Sequence, residues 1–155
     1  MAFEDTLSSL NISASGASAE RLRMEVVANN IANAFSTRTP RGGPFRRQDV
    51  VFQAIYDDKV RSAGYAGGPL GRVAGADALG GVYVDGIVDD PSELNVVYNP
   101  GHPDADLNGF VLFPNVQIPI EMVNLITANR SYEANLKVMQ AYRQQAEQAL
   151  TLVRV

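Results

Sequence analysis

The sequence predicts an α+β chain in which long N- and C-terminal helices pair as an antiparallel coiled coil and a small β-rich domain lies between them. Two matching apolar stripes and a contrasting middle carry this reading. At one end Leu7, Leu10, Ala14, Ala17, Met24, Ala28, Ile31 and Phe35 recur at three- to four-residue spacing, broken only by Arg21. At the other, Leu125, Ala128, Tyr132, Met139, Tyr142, Ala146, Ala149 and Val153 repeat the pattern, with only Asn135 out of step. Each stripe covers about 29 residues, or about 42 Å at about 1.5 Å per residue, so the two match in length. Aligning their ends antiparallel puts Leu7 near Val153, Ala14 near Ala146 and Phe35 near Leu125.

The N-terminal assembly helix is expected within residues 1–36, reading as helix from Ser13 to Phe35 although Gly16 weakens it by about 1 kcal/mol relative to Ala. A turn-rich connector follows at Thr39-Pro40-Arg41-Gly42-Gly43-Pro44, where each proline disfavours helix in the residue before it. The middle region spans 37–114. Its strand signals are Val50–Tyr56, Val82–Asp85 with Ile87-Val88, Leu94–Tyr98 and Phe110–Phe113, each bounded by turn formers, and they suggest one small antiparallel unit. Residues 62–81 hold seven glycines and few large side chains, which predicts a flexible surface loop. The C-terminal helix, within 115–155, starts between Asn115 and Glu121 because Pro119 fits only a first turn. Residues 1–36 and 115–155 together make one discontinuous helical domain.

The chain has 155 residues, a net charge of −4 and no cysteine. Charge is uneven, at −2 over 1–35, +3 over 36–61, −6 over 62–114 and +1 over 115–155, so no segment offers a basic field suited to nucleic acid. Without cysteine there is no disulfide framework, thiolate nucleophile or Cys-based zinc site. Glu4 and Asp5 stand where a secretory signal needs positive charge, and no stretch approaches the roughly 20 apolar residues of a membrane span. Such a chain stays in the cytosol unless a route without a cleaved signal exports it. Arg38, Arg41, Arg46 and Arg47 in the connector read as a solvated face or, in an assembly, as partners of a neighbour's acidic middle.

Few residues could carry chemistry, and no cofactor is expected. His102 is the only histidine and has no nucleophile signature around it, so it reads as a turn residue whose ring bonds locally, with a hydrolase as the weak rival. Asp104, Asp106, Asn108 and Gly109 open like a calcium loop, but Asn115 occupies the twelfth position where bidentate Glu is needed. An Asx-rich turn is the preferred reading, and a calcium- or ligand-binding β module with helical arms is the alternative. Gly67-Gly68-Pro69-Leu70-Gly71 lacks the Lys-Ser/Thr of a phosphate loop, and the acceptor patterns at Asn11 and Asn129 lie in predicted helix.

The helix amides say more. Asn29 and Asn33, with Asn30 beside them, fall off the apolar stripe; they form a patch for another subunit or merely fray and cap the helix end. Asn135 lies inside the second stripe, where one amide can fix register or be relieved by water. The candidate assembly interface is therefore Leu10, Met24, Asn29, Asn30, Ile31, Asn33, Met122, Leu125, Tyr132, Asn135, Met139 and Tyr142.

Ala28-Asn29-Asn30-Ile31-Ala32-Asn33-Ala34 followed by Thr37 resembles the N-terminal signature of the bacterial flagellar axial proteins, which build rod and hook. Thr37 to Pro40, Gly42 to Arg47, Val50 to Phe52, Tyr98 to Asp106, Gly109 to Val111, Pro114 to Val116, Glu121 to Ile126 and Ala128 to Asn135 extend the resemblance to a proximal rod member over most of the chain. Phe45, where that family usually has Tyr, and the Gly-rich loop are the departures. The resemblance implies a non-enzymatic subunit exported by the flagellar type III apparatus without a cleaved signal. It also implies helical assembly into the periplasmic rod and torque transmission toward the hook. Its expected neighbours are copies of itself, other rod subunits and the membrane-ring adaptor protein.

Overall fold

The computed structural model describes residues 2–56 and 79–153, with side chains from 8–55 and 80–151. Helix α1 spans Ala2–Ala32, strands β1 to β4 span Gln48–Tyr56, Leu79–Asp89, Asn95–Tyr98 and Phe110–Phe113, and helix α2 spans Ile118–Val153. The α+β class is thus the observed one. The strands form two separate two-stranded sheets, β1 with β2 and β3 with β4, and not one unit.

Helix α1 starts earlier than Ser13 and stops short of Phe35. Its end is fixed by Asn33, whose Nδ2 donates to the Asn29 carbonyl at 3.0 Å and to Asn29 Oδ1 at 2.8 Å, turning the chain back on its last carbonyls. Ser36 Oγ then donates to Asn33 Oδ1 at 3.0 Å. Phe35, counted in the apolar stripe, lies beyond this cap and is 74% exposed. Pro119 is the second residue of α2, where its missing N–H costs no helical bond.

The chain divides into two compact units, each drawing on both helices. The first comprises Met1–Glu20, Phe52–Asp85 and Arg130–Val155. Its buried helix residues are small, Ser13, Ala17 and Ala19, which lets backbone approach closely. A Cβ on Gly16 would sit 3.1 to 3.4 Å from the Asn135 amide group. The two stripes therefore meet with Gly16 against Asn135, displaced by about two and a half helical turns from the end-to-end alignment expected from their equal length. Lack of a side chain at Gly16, and not matching stripe ends, sets the local register. Gly81 has φ of +106° and would bring a Cβ onto Ser15 Oγ, while the Val82 N–H donates to that oxygen at 3.1 Å. Gly81 thus ties β2 to α1, and residues 79–81 are strand instead of loop. The rest of the Gly-rich stretch, 62–78, lies outside the described residues. Within this unit Gln53 bonds Tyr83 and Ile55 lies against Gly80, so β1 and β2 run antiparallel.

The second unit comprises Arg21–Val51 and Gly86–Asn129. Val26, Val27, Ala34, Val111, Val116 and Ala128 form its apolar core. Antiparallel β3 and β4 pair Asn95 with Phe113, Val96 with Leu112, Val97 with Val111 and Tyr98 with Phe110. One face of this ribbon buries Val111, and the alternating positions on the other remain exposed. At the connection, Asp106 Oδ1 accepts the N–H groups of Asn108 at 2.8 Å and Phe110 at 2.9 Å, with Gly109 at φ +80°. The Asx-turn reading of this segment describes its geometry.

Candidate functional site: a buried polar junction and the outward helix faces

The most distinctive chemistry lies where α1 ends, β1 begins and α2 begins, all inside the second unit. Asn30 is fully buried. Its side-chain carbonyl accepts the Gln48 N–H at 2.9 Å and its amide donates to the Gln48 carbonyl at 2.8 Å, so it completes the backbone pairing of β1 as a strand neighbour would. The same amide donates to Glu121 Oε2 at 3.0 Å. Burial leaves Asn30 no surface to offer another subunit, which removes it from the assembly patch for a plain steric reason.

Glu121 is fully buried in the first turn of α2, where the helix N-terminus favours negative charge. Besides Asn30 it accepts Arg47 Nε at 2.8 Å and Asn124 Nδ2 at 3.2 Å. Arg47 also reaches Asp90 at 3.3 Å and Asp49 at 3.4 Å. Burial disfavours the charged guanidinium, but the Glu121 hydrogen bond and charge, then Asp49 and Asp90, outweigh it and raise its pKa further. Arg47 is therefore the centre of an internal network. Its acidic partners belong to the same chain, as they do for Arg38, 3.8 Å from Asp104, while Arg46 donates to the Asp90 and Ser92 carbonyls at 3.2 Å.

Asn115, the residue that spoils the calcium pattern, has a structural task of its own. Its Oδ1 accepts the Arg47 N–H at 2.8 Å and its Nδ2 donates to Ser92 Oγ at 2.7 Å and the Asp90 carbonyl at 3.3 Å. Asp104, which opens the pattern, accepts the Thr37 hydroxyl at 2.8 Å. These side chains are spent on joining segments of the chain.

Two smaller expectations follow. The Ser92 backbone N–H, then its hydroxyl, then Arg47 hold the Asp90 carboxyl below its ordinary 3.8, against a smaller opposing effect of burial. A lowered folded-state value means stability that is complete above the unfolded pKa and is lost as pH falls through the folded one. Asp90→Asn should therefore flatten the stability profile below about pH 4 relative to the parent, as followed by chemical unfolding at stepped pH. His102 Nδ1 accepts the Asp104 N–H at 3.1 Å, and the ring meets Phe113 edge-on with centroids 6.0 Å apart. His102→Gln retains an acceptor and should change stability by less than about 1 kcal/mol while leaving swimming intact. A loss of motility in this variant would give the ring a role beyond the turn.

The remaining expected interface residues are distributed over both units. In the first, Leu10, Tyr132, Asn135, Met139 and Tyr142 are half-buried. In the second, Met24, Ile31, Asn33 and Leu125 are half-buried, whereas Asn29 and Met122 are exposed. Asn29 and Asn33 bond to each other as a helix-end cap, although Asn29 keeps its outer surface. Sequence reasoning missed Glu121, Arg47, Gln48 and Asn115. Glu121 did carry a signal, since it is the only charged residue from 115 to 129. It missed as well that α2 carries apolar side chains on its outer side, with Ile120, Val123 and Ile126 51%, 62% and 60% exposed.

Among the described residues no catalytic grouping accompanies these features; what the site does is fasten helices and strands and leave apolar faces outward. Comparison with known proteins agrees. Residues 10–38 match the model of the flagella basal body rod protein family, and residues 107–152 match that of the flagellar basal body rod FlgEFG protein C-terminal region. Both matches define the class as structural rod proteins. Among similar proteins is the flagellar basal-body rod protein FlgC of Borreliella burgdorferi, 38% identical over 94% of this chain and 96% of the relative. The proteins of the same name from Bacillus subtilis and Salmonella typhimurium are 37% and 36% identical, over 93% and 94% of this chain and 95% and 96% of theirs. The chain belongs to the FlgC family of flagellar basal-body rod proteins. It is a structural subunit of the basal-body rod and not an enzyme.

Among the described residues no helix is long and apolar enough to cross a membrane. Nothing in the relatives points to the calcium- or ligand-binding alternative.

Proposed function

We propose that this subunit builds the proximal part of the rod by helical assembly through its terminal helices, 1–36 with 115–155, paired as an antiparallel coiled coil. The rod it builds carries torque from rotor to hook. Export by the flagellar type III apparatus, without a cleaved signal, delivers it to the periplasm, where it meets copies of itself, other rod subunits and the membrane-ring adaptor. Asn29, Met122 and the half-buried residues Leu10, Met24, Ile31, Asn33, Leu125, Tyr132, Asn135, Met139 and Tyr142 supply the contacts. The observation that carries this reading is the close approach of Gly16 to Asn135. Within the second unit, Asn30 meeting Glu121 supports it by bringing the end of α1 against the start of α2.

The absence of cysteine makes the test direct. Basal bodies from cells carrying Gly16→Cys with Asn135→Cys should contain the variant chain and, on oxidation, an intrachain bond seen as faster migration without dimer. The pair Gly16→Cys with Gln144→Cys, which matches the end-aligned register, should stay reduced. A bond in the second pair alone, or basal bodies without the chain, would overturn the proposal.

A further inference from the structure

Of the eleven asparagines in the chain, only Asn108 is followed by glycine. An Asn-Gly pair is the one in which the asparagine side chain is most open to attack by the next main-chain nitrogen, because no Cβ shields that nitrogen. The fold cannot do without the glycine. Residues 106–109 form a turn closed by the Gly109 N–H, which donates to the Asp106 carbonyl at 3.0 Å. Gly109 has φ of +80°, and a Cβ there would stand 2.9 Å from Tyr98 Cε2 and 3.1 Å from Pro100 Cβ. The residue that makes Asn108 reactive is therefore the one that the β3–β4 connection requires. Asn108 is itself exposed, and among the described residues none bonds its side chain.

We infer that Asn108 is a site of spontaneous deamidation and that the Asp106 turn sets its rate. In this reaction the Gly109 nitrogen attacks Asn108 Cγ and the new C–N bond closes a succinimide ring. The Cγ–Nδ2 bond breaks, and Nδ2 leaves as ammonia with the proton shed by the Gly109 nitrogen. Water then opens the ring at either carbonyl to leave aspartate or isoaspartate, with nothing oxidised or reduced. The closed turn opposes the first step. Because no residue but glycine has positive φ, the turn is type I and holds ψ of Asn108 near about 0°. Ring closure needs that torsion rotated until the nitrogen faces the side chain, which breaks the hydrogen bond from Gly109 to Asp106. Asp106 also secures both flanks, since its Oδ1 accepts the Asn108 and Phe110 N–H groups at 2.8 and 2.9 Å and its own N–H donates to the Phe110 carbonyl at 2.9 Å. Asp106 is thus a positioning residue, and the reaction proceeds through the opened turn. Isoaspartate lengthens the main chain by a methylene, so the turn cannot close again on the same hydrogen bonds, and either product adds a negative charge beside Asp106.

Purified chain kept in mildly alkaline buffer, either folded or in guanidinium chloride, and then digested for mass spectrometry tests the inference. In the denatured chain, conversion at position 108 should outpace that at every other asparagine. In the folded chain it should be about ten times slower, as a turn whose opening costs about 1.4 kcal/mol requires. Asp106→Ala should speed the folded chain's reaction about fivefold, the equivalent of about 1 kcal/mol, with far-UV circular dichroism unchanged. Asp106→Asn keeps the Oδ1 acceptor and should stay slow. Equal rates in folded and denatured chain, faster conversion at another asparagine, or a folded Asp106→Ala variant that reacts like the parent would overturn the inference. Should Asp106→Ala fail to fold, the comparison of folded with denatured parent decides alone. None of these readouts depends on rod assembly.

Discussion

Glu121→Ala should lower the stability of the second unit by about 3 to 5 kcal/mol, because it strands a partly buried guanidinium and a buried amide together. Arg47 would lose its 2.8 Å acceptor and Asn30 would keep only its pairing with Gln48. Asn30, fully buried, cannot reach water to recover what it loses, and Arg47 is left with only the longer contacts to Asp90 and Asp49. Glu121→Gln retains a carbonyl for one donor but turns an N–H toward the other, and should cost about 1 to 3 kcal/mol. Urea unfolding of the purified chain, followed by far-UV circular dichroism, separates these values. If both variants unfold within about 0.5 kcal/mol of the parent, the junction is not an anchor. Replacing Glu121, Arg47 and Asn30 together with apolar residues tests something different. If the network serves specificity more than stability, such a chain keeps or gains stability yet assembles poorly, which basal-body yield would reveal.

Much of this fold is legible in local sequence because local rules decide it. Apolar spacing marks both helices, Pro119 marks a helix start, and the Val-, Tyr- and Phe-rich runs mark four strands. Pairing is less legible, since it depends on contacts between distant residues. The strand runs separate into two ribbons because β2 pairs with β1 across the connector end while β3 closes on β4 through its own Asx turn. Helix register is hidden for the same reason. Equal stripes suggest aligned ends, whereas register follows from Gly16, which lies beside the first stripe, and Asn135, which interrupts the second. Arg47 illustrates a different blindness. In sequence it is one of several connector arginines, and only Glu121, 74 positions away, distinguishes it from its solvated neighbours.

Gly16→Leu should abolish or strongly reduce motility, and restoration by a change at Asn135 should show why. Leucine improves intrinsic helix propensity by about 1 kcal/mol over glycine, so an isolated helix would gain from the change. In the folded chain even a Cβ would stand 3.1 Å from Asn135 Nδ2, and three further carbons have no space unless the helices part. Overpacking of this kind typically costs about 1 to 3 kcal/mol and shifts the elements it separates. Gly16→Ala should be milder, its propensity gain set against a contact that asks the Asn135 amide to move by a few tenths of an ångström. Asn135→Ala removes the obstructing amide while favouring helix, and combined with Gly16→Leu it should recover swimming that Gly16→Leu alone lacks. A double-mutant cycle on purified chain should then give a coupling of about 0.5 to 3 kcal/mol between the two positions. Strictly additive effects would mean that Gly16 is needed for some reason other than its approach to Asn135.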